Sequence, residues 1–117
     1  MNTSMDTLQT MDGLAAWAVK IAQADLNRVV CYGGDSIRCL VAAYFAESLE
    51  LDTVHDGWVK VVADKATRFR ADGSVEDFTR LDEDFESLVL HVDAQGDRSF
   101  TAAEVRTLVE QFRRNAD

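Results

Sequence analysis

Asp93-Ala-Gln-Gly-Asp-Arg-Ser-Phe-Thr-Ala-Ala-Glu104 is the stretch on which the reading of this chain turns. Oxygen-bearing side chains fall at its first, third, fifth, seventh, ninth and twelfth positions: Asp93, Gln95, Asp97, Ser99, Thr101 and Glu104. A hard cation gathers oxygen ligands, and a loop that alternates donors in this way can wrap one. The flanks carry a second pattern. Phe85, Leu88, Val89 and Val92 before the loop, and Val105, Leu108, Val109 and Phe112 after it, recur at helical spacing. The expectation is a helix, an acidic loop and a second helix, each with one apolar stripe.

Over residues 84–112 this arrangement resembles an EF-hand. A weaker resemblance covers 37–70, where the connector Asp52-Thr-Val-His-Asp-Gly-Trp-Val begins a candidate partner loop. Asp52, Asp56, Gly57 and Val59 stand where the family has its first ligand, fifth-position ligand, turn glycine and central hydrophobe. Val54 and Ala63, at the third and twelfth positions, offer no donor. The resemblance therefore implies a degraded hand over 36–70, kept for packing, and a recognisable one over 75–114. In the better loop it implies monodentate Asp93 and Asp97, Gln95 at the third position, Ser99 binding through its carbonyl, Thr101 through water and Glu104 bidentate. Arg98 takes the place of the family's turn glycine, and a left-handed backbone there costs roughly 1–2 kcal/mol for a residue with a β-carbon. Calcium binding at 93–104 is accordingly expected to be weak or absent.

The whole chain sets bounds on this reading. Its 117 residues suit one domain that buries its own core. Apolar residues make up 47% and charged residues 28%, a folded rather than disordered balance. A net charge of -9 argues against nucleic-acid backbones and anionic membranes, and favours cations or basic peptides. No apolar run reaches the ~20 residues of a membrane span, and no signal-peptide core is legible at the N-terminus. Cys31 and Cys39 are too few for a disulfide framework and fit small buried hydrophobes in a reducing, cytoplasmic setting.

Along the chain, residues 1–10 read as a flexible N-terminus and 11–117 as one domain. A first helix is expected from about Asp12 to Ala24, with Met11, Leu14, Ala18, Ile21 and Ala22 on one face and Trp17 in the core. Gly33-Gly34 breaks the chain, and Asp35 or Ser36 can cap a second helix bearing Ile37, Leu40, Val41, Tyr44, Phe45 and Leu49. A third carries Val59, Val62, Ala66 and Phe69. Asp72-Gly73 reads as a turn, Ser74 as an N-cap, and a fourth helix runs from Val75 to Val92. A fifth starts near Ala102 and ends by Arg113–Arg114, whose charges suit a helix C-terminus. The absence of proline favours unbroken helices. No strand alternation stands out, so the expected class is all-α: about five helices, an EF-hand-like pair and an extra N-terminal helix.

A rival motif is Gly33-Gly34-Asp35-Ser36-Ile37, which resembles the attachment site of acyl and peptidyl carrier proteins. That resemblance implies a phosphopantetheine arm on Ser36, whose hydroxyl would lie at the positive end of a helix dipole. Asp-Ser before an apolar run is also an ordinary N-cap. His55 and His91 are isolated, without a partner at zinc spacing. The Asp82–Glu86 acids read as a solvated face. Among the two resemblances, the first implies a non-enzymatic regulatory or scaffolding module that binds an amphipathic, or basic, helix of a partner protein. The second implies a carrier protein.

Overall fold

In the computed structural model, which describes residues 4–116, the chain runs α1 (Met5–Leu8), α2 (Met11–Ala24), β1 (Val29–Tyr32), α3 (Leu40–Ser48), β2 (Trp58–Val62), β3 (Lys65–Phe69), β4 (Val75–Arg80), α4 (Glu83–Asp93), β5 (Ser99–Thr101) and α5 (Ala102–Ala116). The strands form two antiparallel sheets, a β1–β5 ribbon and a β2–β3–β4 meander. The fold is mixed α/β, which corrects the all-α expectation.

The first and fifth apolar stripes form helices, as does the second from Leu40 and the fourth from Glu83. Thr10 accepts a hydrogen bond from the Gly13 amide at 3.0 Å and opens α2, whose Leu14, Trp17, Ala18, Ile21 and Ala22 are buried. Asp82 accepts from the Phe85 amide at 3.0 Å and opens α4, with Phe85, Leu88, Val89 and Val92 buried. The described N-terminal residues form a short helix. Ser4 and Thr7 form a reciprocal capping box around α1, and Met5 is buried. Residues 1–3 and Asp117 lie outside the described residues, so the expectations there stop at Ser4 and Ala116.

Two expected helices are corrected. The third is a hairpin: Val59 and Val61 point inward and are buried, Lys60 and Val62 point outward, and the chain reverses at Ala63 with a positive φ of 52°. The first turn and a half of the expected fourth helix is strand β4, paired to β3 as Thr67↔Phe78 and Ala66↔Thr79. Ser74 is no helix cap. Its amide and hydroxyl both donate to Asp72 in the turn before β4, where Gly73 has φ 90°. Between residues 58 and 80 the expected helices are therefore replaced by three strands.

The ribbon organises the remainder. β1 and β5 pair as Val29↔Thr101, Cys31↔Phe100 and Tyr32↔Ser99. On either side, α2 lies along α5 and α3 meets α4. Two helix–strand–helix units, 11–48 and 83–116, thus face each other through their loops, with the meander inserted between them. The unit opposite 83–116 is 11–48 and not 36–70, and the N-terminal helix α2 is half of that unit instead of an addition to it. Phe45 and Phe85 stack in the shared core with centroids 6.1 Å apart, and Trp17 and Tyr44 join them at 5.5 Å. Each such buried apolar side chain contributes roughly 1.5–3 kcal/mol.

Candidate functional site

The loop between α4 and α5 exists as the sequence implied, but its donors are spent elsewhere. Helix α4 ends at Asp93, and the chain then turns at Gly96, which has φ 81°. Positive φ among the described non-glycine residues occurs at Glu50 and Ala63. Arg98 is thus free of the left-handed strain its position implied, because the loop turns two residues earlier.

Glu104 closes the start of α5. Its Oε1 accepts from the Thr101 amide at 3.1 Å and the Thr101 hydroxyl at 3.2 Å, while its own amide donates to Thr101 Oγ1 at 3.3 Å. This is a reciprocal helix cap. The Arg98 guanidinium pairs with the other Glu104 oxygen, donates to Gln95 Oε1 at 3.3 Å and lies 4.2 Å from the centre of the Phe100 ring. Hydrogen bonding from the Thr101 amide, then from its hydroxyl, and the charge of Arg98 hold the Glu104 carboxyl below the usual carboxylate range. Within the loop, the guanidinium stands as the cation that Gln95 and Glu104 share.

Asp93 and Asp97 face the other way. Asp93 Oδ1 accepts from the Gly34 amide at 3.3 Å, and Asp97 Oδ1 stands 2.6 Å from where a β-carbon on Gly34 would lie. Ser99 is exposed in β5. The structure therefore joins Gln95 and Glu104 at Arg98, ties Thr101 to Glu104, and turns Asp93 and Asp97 toward a different segment. Among the described residues no cluster of three or more His, Cys, Asp or Glu is placed to hold a metal. In this arrangement the six donors are not gathered around one point, with Gln95 and Glu104 turned to Arg98 and Asp93 to Gly34.

The two motifs that the sequence set up as rivals meet here. The Gly33 amide donates to the Arg98 carbonyl at 2.9 Å, and a β-carbon on Gly33 would come within 2.4 Å of the Gly96 carbonyl oxygen. Gly33-Gly34 is glycine so that this turn can press against the 93–98 loop. Ser36 is not at a helix N-terminus. Asp35 Oδ1 accepts from the Ile37 and Arg38 amides and caps an isolated turn, whereas α3 begins at Leu40 with Cys39 before it. Ser36 is half-buried, accepts from the Val61 amide through its carbonyl at 2.7 Å, and shares a small cleft of about 150 Å³ with Asp93 and Cys39. The dipole argument for a phosphopantetheine arm on Ser36 is lost with the helix.

Thiol chemistry is equally muted. Burial, and then the neighbouring Cys39 thiol, pushes Cys31 up to about 12, and burial pushes Cys39 up to about 11. Both stay neutral and unreactive near neutral pH.

Two surfaces remain. Between α4 and α5 runs a groove of two adjoining clefts, about 390 and 360 Å³, that share His91, Leu108 and Gln111. Phe100 and the Arg98–Glu104 pair bound one end, and Phe112, Glu83 and Asp84 the other. Glu83 and Asp84 make no ion pair among the described residues. The second surface is the outer face of the meander, which sequence reasoning missed. Its alternation was there to be read in Val59-Lys60-Val61, but the helical reading of Val59, Val62, Ala66 and Phe69 concealed it. No helix among the described residues is long and apolar enough to cross a membrane. Comparison with protein-family models, with curated proteins and with solved structures returned no match.

Proposed function

We propose that this domain is a non-enzymatic docking module of the cytoplasm, an EF-hand-like pair of helix–strand–helix units that holds a basic amphipathic helix of a partner protein without needing calcium. The α4–α5 groove carries the reading. It offers Leu108 and Phe112 as an apolar floor and unpaired Glu83 and Asp84 at one mouth. Helix α4 has 11 residues, so the groove accommodates about three turns, ~16 Å, of a docked helix. The apolar stripe of such a helix covers Leu108 and Phe112, and its lysines or arginines meet the acidic mouth.

Three features support the rest. Asp93 is engaged by Gly34, and Glu104 by Thr101 and Arg98, which favours an adaptor over a calcium sensor. Both buried thiols are held neutral, and His55 and His91 are exposed on the surface. Two free cysteines suit a reducing compartment.

The test is titration of a labelled leucine–lysine amphipathic peptide of about 14 residues, long enough for the groove, followed by fluorescence anisotropy. Binding should weaken about tenfold or more in Leu108→Glu and in the Glu83→Lys/Asp84→Lys double variant. Equal affinity for the native protein and both variants would overturn the groove as the site.

A further inference from the structure

The outer face of the β2–β3–β4 meander is ordered in three rows by the strand pairing. Trp58↔Phe69↔Val75 forms one end, Lys60↔Thr67↔Phe78 the middle, and Val62↔Lys65↔Arg80 the other end. The Trp58 and Phe69 rings stack 5.5 Å apart and are only half-buried. Phe78, at 58% exposure, is the most open aromatic ring on this face, and Lys65 Nζ stands 4.7 Å from its centre. Exposed apolar groups gathered on one sheet face, with charge at one border, mark an interaction surface.

The charge on this face runs against the rest of the molecule. The chain has a net charge of -9, yet five of its 12 Lys and Arg lie between Trp58 and Arg80. In the paired rows of the outer face the charged side chains are Lys60, Lys65 and Arg80, while Glu76, at the β4 bulge beside the aromatic end, is paired with Arg70 at 2.8 Å. Among the described residues Lys60 and Lys65 make no ion pair, and Arg80, its side chain 82% exposed, is joined to Asp64 at 3.3 Å.

We infer that this face is a second docking surface, independent of the α4–α5 groove, and that it takes an acidic segment of a protein partner bearing large apolar side chains. Rows two residues apart along a strand are separated by ~6.7 Å, so the aromatic end lies about 13 Å from the cationic end. The fitting segment therefore carries an aromatic or aliphatic anchor at one end and carboxylates at the other. A second copy of this chain is a poorer occupant. A two-fold contact would set this face against itself, with three cations and no matching surplus of carboxylates, and a contact with the acidic surface elsewhere would be head-to-tail and open-ended. A nucleic-acid strand is poorer still. Its charge repeats along its whole length, and it would run from three cations onto a strongly acidic protein.

The experiment uses the full chain and three probes: a labelled peptide of alternating glutamate with leucine and phenylalanine, the same composition with lysine for glutamate, and oligothymidylate. Anisotropy and Trp58 emission should report saturable binding of the acidic peptide. Affinity should fall about tenfold in the Lys60→Glu/Lys65→Glu variant, decline with added salt, and be reduced similarly in Phe78→Ser. These substitutions lie at exposed positions, and far-UV circular dichroism checks that each variant is folded. Leu108→Glu should leave this binding unchanged, which keeps the outcome separate from that of the groove. Tighter binding of oligothymidylate, concentration-dependent dimerisation abolished by Phe78→Ser, or equal affinity of the variants for the acidic peptide would each overturn the assignment.

Discussion

The Arg98 guanidinium and the Glu104 carboxylate form an ion pair across the loop that opens α5. Each has another engagement: Arg98 with Gln95 and the Phe100 ring, and Glu104 with both the amide and the hydroxyl of Thr101. The loop thus carries its own positive charge covalently attached, and needs none from solution to neutralise its twelfth residue.

That arrangement fixes the response to calcium. Thermal melts of the native chain should be the same in chelator and in about 1 mM calcium, the range in which weak loops of this kind load. A calcium-dependent rise in Tm would show that Glu104 leaves Arg98 for the ion, and would restore the sensor reading.

The pH dependence follows from the depressed Glu104 ionisation. A carboxylate held below its ordinary value of 4.5 contributes stability that is complete above that value and is lost as pH falls through the lower, folded-state value. Glu104→Gln should therefore melt below the native protein at pH 7, and the gap should close as acid protonates Glu104. Measuring both Tm values from pH 7 downward checks this. A gap independent of pH would assign the effect to shape and not to charge.

The cysteines act at the opposite end of the scale. Their folded-state values are raised, from 9.0 to about 12 for Cys31 and about 11 for Cys39. The stability they contribute is complete below pH 9 and declines above it, where the unfolded chain releases thiol protons that the folded chain retains. A thiol-reactive chromogenic disulfide should label neither cysteine in the native protein at pH 8, and both once urea unfolds it. Rapid labelling of the folded chain would contradict the burial.

Gly33 and Gly34 should differ when replaced by alanine. At Gly33 the new methyl meets backbone on the far side, the Gly96 carbonyl at 2.4 Å, and overpacking against atoms that cannot rotate away costs about 1–3 kcal/mol. At Gly34 the nearest atom belongs to the rotatable Asp97 side chain, and the main cost is the left-handed backbone at φ 77°, about 1–2 kcal/mol. Urea unfolding of both variants measures the two costs. Gly33→Ala should also loosen the 93–98 loop, seen as faster amide exchange at Arg98, whereas an unperturbed Arg98 amide would mean the two turns are not coupled.

Ser36 provides a negative control for the carrier reading. Incubation with a phosphopantetheinyl transferase and coenzyme A should leave the mass of the chain unchanged, because the serine sits in an isolated turn four residues before α3. A mass gain abolished by Ser36→Ala would reverse that conclusion.

The helices flanking 93–104 were legible because their stripes are one-sided. Phe85, Leu88, Val89 and Val92 are buried, and the acids of the first turn of α4 lie outside that stripe. The meander was not, because it is apolar on both faces. Val59 and Val61 face the core while Trp58, Val62, Val75 and Phe78 face outward, so a period of two is blurred. Val75, Phe78, Leu81 and Phe85 then continue at helical spacing into α4, joining a strand to a helix in one false stripe. At the loop, donor spacing was readable but donor direction was not. Arg98 and Gly34 claim the oxygens through contacts made only after folding, one of them 59 residues away in sequence. Thr101 with Glu104 was the one local clue, since that spacing is itself a capping box and competes with a metal for the same carboxylate.

The β1–β5 ribbon has a consequence for synthesis. Val29 finds its partner strand at Thr101, so the N-terminal helix–strand–helix unit leaves the ribosome long before anything can complete its ribbon edge. The meander emerges in that interval and can zip locally, but the halves of the core cannot seal until β5 and α5 have followed it. Until β5 arrives, the nascent chain presents an unclosed seam to the cell, and its pairing with β1 closes that seam.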